Sequence, residues 1–224
     1  AVDIGILGTI SFEDVLAGGD PDPFPFTGIR SNVLTGGTSG NSGTITLKGN
    51  SILVKDSGQL QTITKGIGNA GSIIMRAIQN LDSNVGLIES RADNFATGDA
   101  GSIELTSTRG NISLTNASNV TSQTVKSPGT VGNITLNAPG GNILLADSAL
   151  GTLISPPINL RGVPAVRTGG SGEIRITTNN LQLNGGGIAI TNISNLPPGS
   201  LTINLSGNLS VRPSSVVQTP RSSI

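Results

Sequence analysis

The sequence predicts an all-β fold, a parallel β-helix (β-solenoid), and three observations support the solenoid. A glycine-rich corner recurs along most of the 224-residue chain at nearly constant spacing. Between the corners, short segments alternate apolar and polar residues, which is the two-residue period of a β-strand. Tryptophan, tyrosine, histidine and cysteine are all absent. Because a narrow coil holds aliphatic and small side chains better than large rings, the composition agrees with the spacing.

The first recurring corner has the form G-x-x-G, followed by one residue and an aliphatic one. Its second glycine lies at Gly43, Gly71, Gly101, Gly132, Gly172 and, in a degenerate copy, Gly199. These glycines are separated by 28, 30, 31, 40 and 27 residues. The spacing predicts about six coils of roughly 30 residues, with an insertion near residues 151–170 inside the longest step.

A second corner follows each first corner after a strand, and a looser third segment completes the unit. The second corner carries an asparagine at Asn50, Asn111, Asn142 and Asn208. We therefore expect three short strands per coil. In one of the coils, we expect Ile103 and Leu105 of the first strand and Ile112 and Leu114 of the second to point inward. Coils stacked in register advance by about 4.8 Å each, so six coils predict a rod about 30 Å long.

The corner residues have expected structural roles of their own. Glycine adopts positive φ without steric penalty, so we expect the corner glycines to supply it. Asparagine tolerates the left-handed conformation, and stacked asparagines can hydrogen-bond through their amides. The corner asparagines are therefore predicted to link each coil to those above and below.

Two segments interrupt the repeat, and binding in solenoids concentrates in such segments. We divide the chain into an N-terminal cap or assembly segment (1–39), the repeats (40–212) and a C-terminal tail (213–224). The N-terminal segment could cap its own first coil, or lie on the last coil of a neighbouring copy by strand addition. The candidate assembly or binding residues are Val2, Ile4, Ile6, Phe24 and Phe26 in this segment, and Arg161 and Arg167 in the insertion.

Charge and composition exclude several classes of function. The 13 basic and 13 acidic residues give no basic surface for nucleic acid. The sequence contains no run of 18 apolar residues, so it does not predict insertion into a membrane. Without histidine the usual catalytic base is missing. We expect Glu89, Asp93, Asp99 and Glu104 to lie on a solvated surface, and the chain to be no enzyme and to hold no metal and no cofactor.

The stretch GDAGSIELTSTRGNISLTNASNVTSQT resembles the repeat of filamentous-haemagglutinin-like secreted proteins, especially the cyanobacterial type. Those repeats read as a G-[ND]-A-G-x-I strand, a G-x-[LIV]-x-[LIV]-x-N strand and a third strand rich in serine and threonine. The resemblance covers residues 40 to about 212 and implies a right-handed parallel β-helix, export by two-partner secretion and a role at the cell surface. The N-P-N-G signature of that family's secretion domain is absent from this sequence.

The sequence leaves three hypotheses for function. The first is a structural component of an extracellular or cell-surface fibre, built by end-to-end stacking of coils, with an adhesive role as well. The second is a monomeric adhesin segment whose loops bind a surface or glycan, and the third is a polysaccharide-active β-helix enzyme. Under the first hypothesis, we expect the partners to be other copies of the chain, bound head to tail, together with surface glycans or other cells. We expect the protein to lie outside the cell or on a bacterial surface.

Overall fold

The computed structural model describes residues 2–5, 9–12, 28–33, 40–93, 96–155, 170–193 and 197–214, with backbone alone for the first two ranges. The described residues form an all-β parallel solenoid of about 5 turns of roughly 30 residues, and contain no helix. The predicted β-solenoid is therefore confirmed. Of the six coils expected over residues 40–212, the first three have three strands each, the fourth and fifth have one long strand spanning two walls and one short strand, and the last has two described strands.

Each turn has three walls, and each wall is built from equivalent strands of successive turns. Wall 1 contains β1 (Val2–Gly5), β4 (Ile45–Gly49), β7 (Ile73–Ala77), β10 (Ile103–Ser107), the first part of β13 (Ile134–Ala146), the first part of β15 (Ile174–Asn184) and β17 (Leu201–Leu205). Wall 2 contains β2 (Thr9–Phe12), β5 (Ser51–Lys55), β8 (Leu81–Asn84), β11 (Ile112–Thr115), the remainders of β13 and β15, and β18 (Leu209–Arg212). Wall 3 contains β3 (Gly28–Val33), β6 (Gln59–Thr64), β9 (Leu87–Ala92), β12 (Asn119–Thr124), β14 (Ala149–Ile154) and β16 (Gly187–Asn192).

The walls meet at three corners that we name by position. Corner A precedes wall 1, corner B joins wall 1 to wall 2, and corner C joins wall 2 to wall 3. In most turns corner B interrupts the chain between two strands, but β13 and β15 continue through it as single strands. Between Ala138 and Asn142 the register of β13 against β15 shifts. Pro139 and two glycines occupy this longer corner.

All strand pairs between successive turns are parallel, and apart from the shift at corner B between β13 and β15 they keep one register, so equivalent residues form columns along the axis. One wall 1 column runs through Ile45, Ile73, Ile103, Ile134 and Ile174. All five isoleucine side chains are buried. Parallel strands at a fixed spacing place identical side chains on top of one another, so each aliphatic residue buries its neighbours in the turns above and below. The core is therefore made between turns rather than within one.

The parallel ladders extend N-terminally of residue 40. Strand β1 pairs with β4, β2 with β5 and β3 with β6. The N-terminal segment thus adds a turn to its own first coil, with Val2 in register with Ile45 and Ile4 with Leu47. Ile6, Phe24, Phe26, Arg161 and Arg167 lie outside the described residues.

Candidate functional site

The predicted corner glycines lie at corner A, but they do not have the conformation we expected. None of Gly43, Gly71, Gly101, Gly132, Gly172 and Gly199 has a positive φ. Their requirement is close approach between turns. A Cβ on Gly101 would overlap with the carbonyl oxygen of Gly71, and one on Gly132 would overlap with the backbone of Gly101. Glycine is needed because consecutive turns touch through their backbones at this corner.

Corner B carries an amide ladder of the kind that the asparagine spacing predicts. The backbone N–H of Asn111 donates to Asn80 Oδ1 at 3.0 Å, and that of Asn142 donates to Asn111 Oδ1 at 2.8 Å. The N–H of Asn208 donates to Asn180 Oδ1 at 2.8 Å. Asn50 contributes its backbone carbonyl, which accepts from the N–H of Gln79 at 2.7 Å. None of these asparagines has a positive φ, so their tolerance of the left-handed conformation is not used at this corner.

A second ladder of the same type runs along corner A. Asn69 N–H donates to Asn41 Oδ1 at 2.8 Å, and Asp99 N–H donates to Asn69 Oδ1 at 2.9 Å. The Asp99 carboxylate then accepts from the N–H of Thr130 at 2.6 Å. Asp99 therefore takes the place of an asparagine in a ladder of side-chain acceptors, which is a structural role.

Most of the described non-glycine residues with positive φ lie at corner C, namely Asp56, Ser57, Val85, Asn116, Ala117 and Asp147. The sequence did not reveal this conformation, because these residues are not the glycines that normally signal it. The expected pattern does occur at Gly185, with φ of 70°, and at corner A in Gly40 and Gly68, the first glycines of two G-x-x-G motifs, with φ of 145° and 131°.

Inside wall 3 lies a column of hydroxyls that the sequence reasoning missed. The column consists of Ser31, Thr62, Ser90, Ser122 and Thr152. Ser90 Oγ donates to Gly71 O at 3.0 Å and accepts from Gly101 N–H at 2.7 Å. Ser122 repeats this one turn later, donating to Gly101 O at 3.0 Å and accepting from Gly132 N–H at 3.0 Å. The available signal was a serine or threonine at the fourth position of the third strands β3, β6, β9, β12 and β14.

The hydroxyl column is interrupted at the turn that carries the insertion. Thr152 is buried, yet its Oγ1 has no hydrogen-bond partner. Ser90 and Ser122 bridge corner A of their own turn to corner A of the next. In the turn of Thr152, the connection to the next corner contains residues 156–169, which lie outside the described part of the chain. A buried hydroxyl without a partner is destabilising, so Thr152 does not contribute the stability that Ser90 and Ser122 do.

The outer side of wall 3 carries a polar cluster, which corrects the expectation of a solvated acidic surface. Glu89 is only 4% exposed. Its carboxylate accepts from Gln61 Nε2 at 3.0 Å, from Gln123 Nε2 and from Arg91 at 3.4 Å. Asp93 is also buried and lies 3.3 Å from Arg91 Nη2. Glu89 is thus bound by donors from both neighbouring strands, and Asp93 is paired with Arg91 of its own turn and with Lys65 of the preceding turn, which is the arrangement of a structural network.

The remaining acidic residues are not brought to this cluster. Glu104 lies on the outer side of wall 1, where its carboxylate receives two 3.0 Å hydrogen bonds from Arg76 Nη2. Asp82 lies on wall 2 between Leu53 and Ser113, and burial raises the pKa of its carboxyl. Across the described residues, no group of three or more acidic side chains is placed to hold a metal ion.

The C-terminal end of the described solenoid is open. Leu201 is 47% exposed, Leu209 53% and Val211 67%. Each occupies a column whose preceding members are buried or partly buried. Strands β16, β17 and β18 each have a single described neighbour, so each presents an unpaired backbone edge within that part of the chain. This end combines apolar side chains with free strand edges.

Beyond β18 the chain is held at the side of the solenoid, at corner C. Ser214 Oγ donates to Asp147 Oδ1 at 2.5 Å. The two side chains meet in the space beside Gly185, where a Cβ would overlap with both Asp147 and Ser214. A shallow cavity of about 480 Å³ borders this contact, lined in part by Asn119 and Ser148. The described tail residues therefore leave the open edges of β17 and β18 uncovered.

Comparisons of the chain with models of known protein families, with curated proteins and with solved structures find no match. Among the residues that the structure describes, no helix is long and apolar enough to cross a membrane.

Proposed function

We propose that this protein is a structural component of an extracellular or cell-surface fibre, built by end-to-end stacking of its solenoid turns. The observation that carries the proposal is the open C-terminal end. Its exposed leucines and valine continue columns that are buried elsewhere in the molecule. An exposed strand edge with an apolar inner row pairs readily with another chain unless something blocks it.

The arrangement of polar side chains supports a structural role over an enzymatic one. Glu89 and Asp99 accept hydrogen bonds from neighbouring turns, and Asp93 forms an ion pair with Lys65 of the preceding turn. A general acid or nucleophile must instead be free to face its substrate. The residues that repeat most regularly, the corner glycines and asparagines, serve contacts between turns.

The biological setting of the proposal comes from the resemblance of the repeat to filamentous-haemagglutinin-like secreted proteins. That resemblance supports export, a place at the cell surface and an adhesive role toward glycans or other cells. In a head-to-tail stack the same contact repeats without closing, so open filaments result.

Electron microscopy of the purified chain over a range of concentrations tests the proposal. We expect fibres of uniform width that become more numerous with concentration. The variant Leu209→Asp should yield short particles, because it places a charge in the apolar row at the open end. Ser210→Asp is the matched control, since it adds the same charge on the same strand but in an outward column, and should still form fibres.

Discrete single particles from the unmodified chain at all concentrations would contradict the fibre and favour a monomeric adhesin segment. Fibres formed equally well by Leu209→Asp and by Ser210→Asp would show that the open end is not the surface that stacks.

A further inference from the structure

The two ends of the described solenoid carry matching sets of free edges. At the N-terminal end, β1 and β2 each pair with a single strand, β4 and β5. At the C-terminal end, β17 and β18 each pair only with β15. All these pairs are parallel, so every copy presents strands of the same direction at both ends. A parallel partner for β17 and β18 must therefore run in the direction of β1 and β2.

The register gives the residues that would face each other at such a junction. The wall 1 columns that end at Leu201 and Ile203 begin at Val2 and Ile4. The wall 2 columns that end at Leu209 and Val211 begin at Ile10 and Phe12. All four columns thus have an apolar residue at each end, although they hold a serine at one interior position, Ser83.

We infer that the C-terminal edge of one copy binds the N-terminal turn of a second copy in one specific register, with Val2 over Leu201 and Ile10 over Leu209. The inference rests on the proposed function and names the partner and the pairing. It continues the columns of walls 1 and 2 without a shift, as if β1 and β2 of the second copy were the next strands of the first. The junction is therefore one more turn-to-turn contact of the type that the solenoid already makes.

Slipped registers are less favourable for a definite reason. Because side chains alternate between the two faces of a strand, a slip of one residue would place Asp3 in the column of Leu201. A carboxylate in an apolar column without a partner is strongly destabilising. A slip of two residues keeps the inward-facing residues on the inward face. It leaves one apolar residue of each strand without a paired residue in the other copy. The in-register junction alone matches all four columns.

The described part of the tail does not lie across the C-terminal end. The backbone carbonyl of Arg212 accepts a hydrogen bond from Gly185 N–H at 2.9 Å, and Ser214 is bound at the side of the solenoid by Asp147. Residues 213 and 214 therefore run along corner C. Within the described residues, the edges of β17 and β18 face the position of an incoming turn.

Disulfide cross-linking between two different single-cysteine variants tests the register. The chain has no cysteine of its own, so any disulfide must join two copies. Ser11 begins the outward column that ends at Ser210. In the inferred junction their Cα atoms lie one strand spacing apart, about 4.8 Å, which is within the range for a disulfide. A mixture of Ser11→Cys and Ser210→Cys should therefore give a covalent dimer on mild oxidation.

Thr9→Cys mixed with Ser210→Cys is the matched control. This pair uses the same two strands, but the two residues are two positions out of register. In the inferred junction their Cα atoms lie about 8 Å apart, which is beyond the reach of a disulfide without backbone movement. A second pair, Asp3→Cys with Thr202→Cys, tests wall 1 independently, since both belong to one column. The expected result is dimer from both in-register mixtures and essentially none from the control.

The outcomes separate this inference from the proposed function. Fibres in which only the control mixture cross-links, or in which neither in-register mixture does, would overturn the register and leave the fibre standing. Absence of both fibres and cross-links would overturn the two together. Circular dichroism of each single-cysteine variant, compared with the unmodified chain, verifies that the variants fold.

Discussion

The central turns and the last turn use the same residue types at equivalent positions, yet differ sharply in burial. Leu181 and Leu209 are neighbours in one column, and the first is fully buried whereas the second is 53% exposed. The difference is the presence of a following turn. Burial in this fold is therefore supplied by stacking, and a strand becomes core only when another strand covers it.

Removing a leucine side chain at each of these two positions gives the largest expected contrast. Leu181→Ala should lower the free energy of unfolding by about 3 kcal/mol, because it opens a cavity between packed turns. Leu209→Ala should lower it by less than about 1 kcal/mol in dilute protein, since half of that side chain is already in water. Urea unfolding followed by circular dichroism measures both. Equal losses would mean that the last turn is already covered.

The corner glycines allow the role of close approach to be tested within one corner. Gly172→Ala should destabilise the protein by about 2 kcal/mol, because its Cβ would overlap with the carbonyl oxygen of Gly132. Gly170→Ala is the control two residues away, where a Cβ meets nothing within 4 Å. Thermal unfolding of the two variants should differ clearly. A similar loss in both would show that flexibility, rather than contact between turns, determines the choice of glycine.

The hydroxyl column allows a comparison between Ser122, whose hydroxyl makes two hydrogen bonds, and Thr152, whose hydroxyl makes none. Ser122→Ala should reduce stability by about 1.5 kcal/mol, because it removes both bridging hydrogen bonds from the corners of two turns. Thr152→Val should be neutral or slightly stabilising, since its hydroxyl is buried without a partner. Chemical denaturation of both variants checks the pair. A loss of stability in Thr152→Val would assign that hydroxyl a contact that the structure does not show.

The smallest expected effect concerns Asp82 and depends on pH. Burial raises the pKa of this carboxyl in the folded state, so the folded protein binds the proton more tightly than the unfolded chain. Stability contributed by the group is present at low pH and is lost as pH rises from the ordinary carboxyl pKa through the raised one. Asp82→Asn should therefore be more stable than the unmodified chain at neutral pH, with the difference disappearing in acid. A difference that does not change with pH would rule out titration as the cause.

The fold could be predicted from the sequence because its signal is repeated. Alternating residues such as Ile103 and Leu105, set between glycine corners about 30 residues apart, predict stacked parallel strands with little ambiguity. The amide ladder followed from the same repetition, since Asn111 and Asn142 recur at the period of one turn. Repetition converts a weak local signal into a strong one.

The physical roles of individual residues were harder to predict from the sequence than the fold. Gly101 was expected to supply positive φ, but its role is backbone contact between turns, which depends on how closely the turns stack. Glu89 was expected on a solvated surface, but it is buried, and its carboxylate accepts from the amides of Gln61 and Gln123 in the two neighbouring turns. These two glutamines are 28 and 34 residues away along the chain, so a reading of the local sequence could not pair them with Glu89.

Hydrogen exchange at the edge strands, followed as a function of protein concentration, tests the central claim most directly. The claim is that the last turn is a central turn that lacks its following layer, and that a second copy supplies that layer. The account predicts that amides of β17 and β18 exchange rapidly in dilute protein and become protected as concentration rises, while those of β10 and β11 are protected throughout. Exchange in β17 and β18 that is slow in dilute protein, or fast at every concentration, would contradict it.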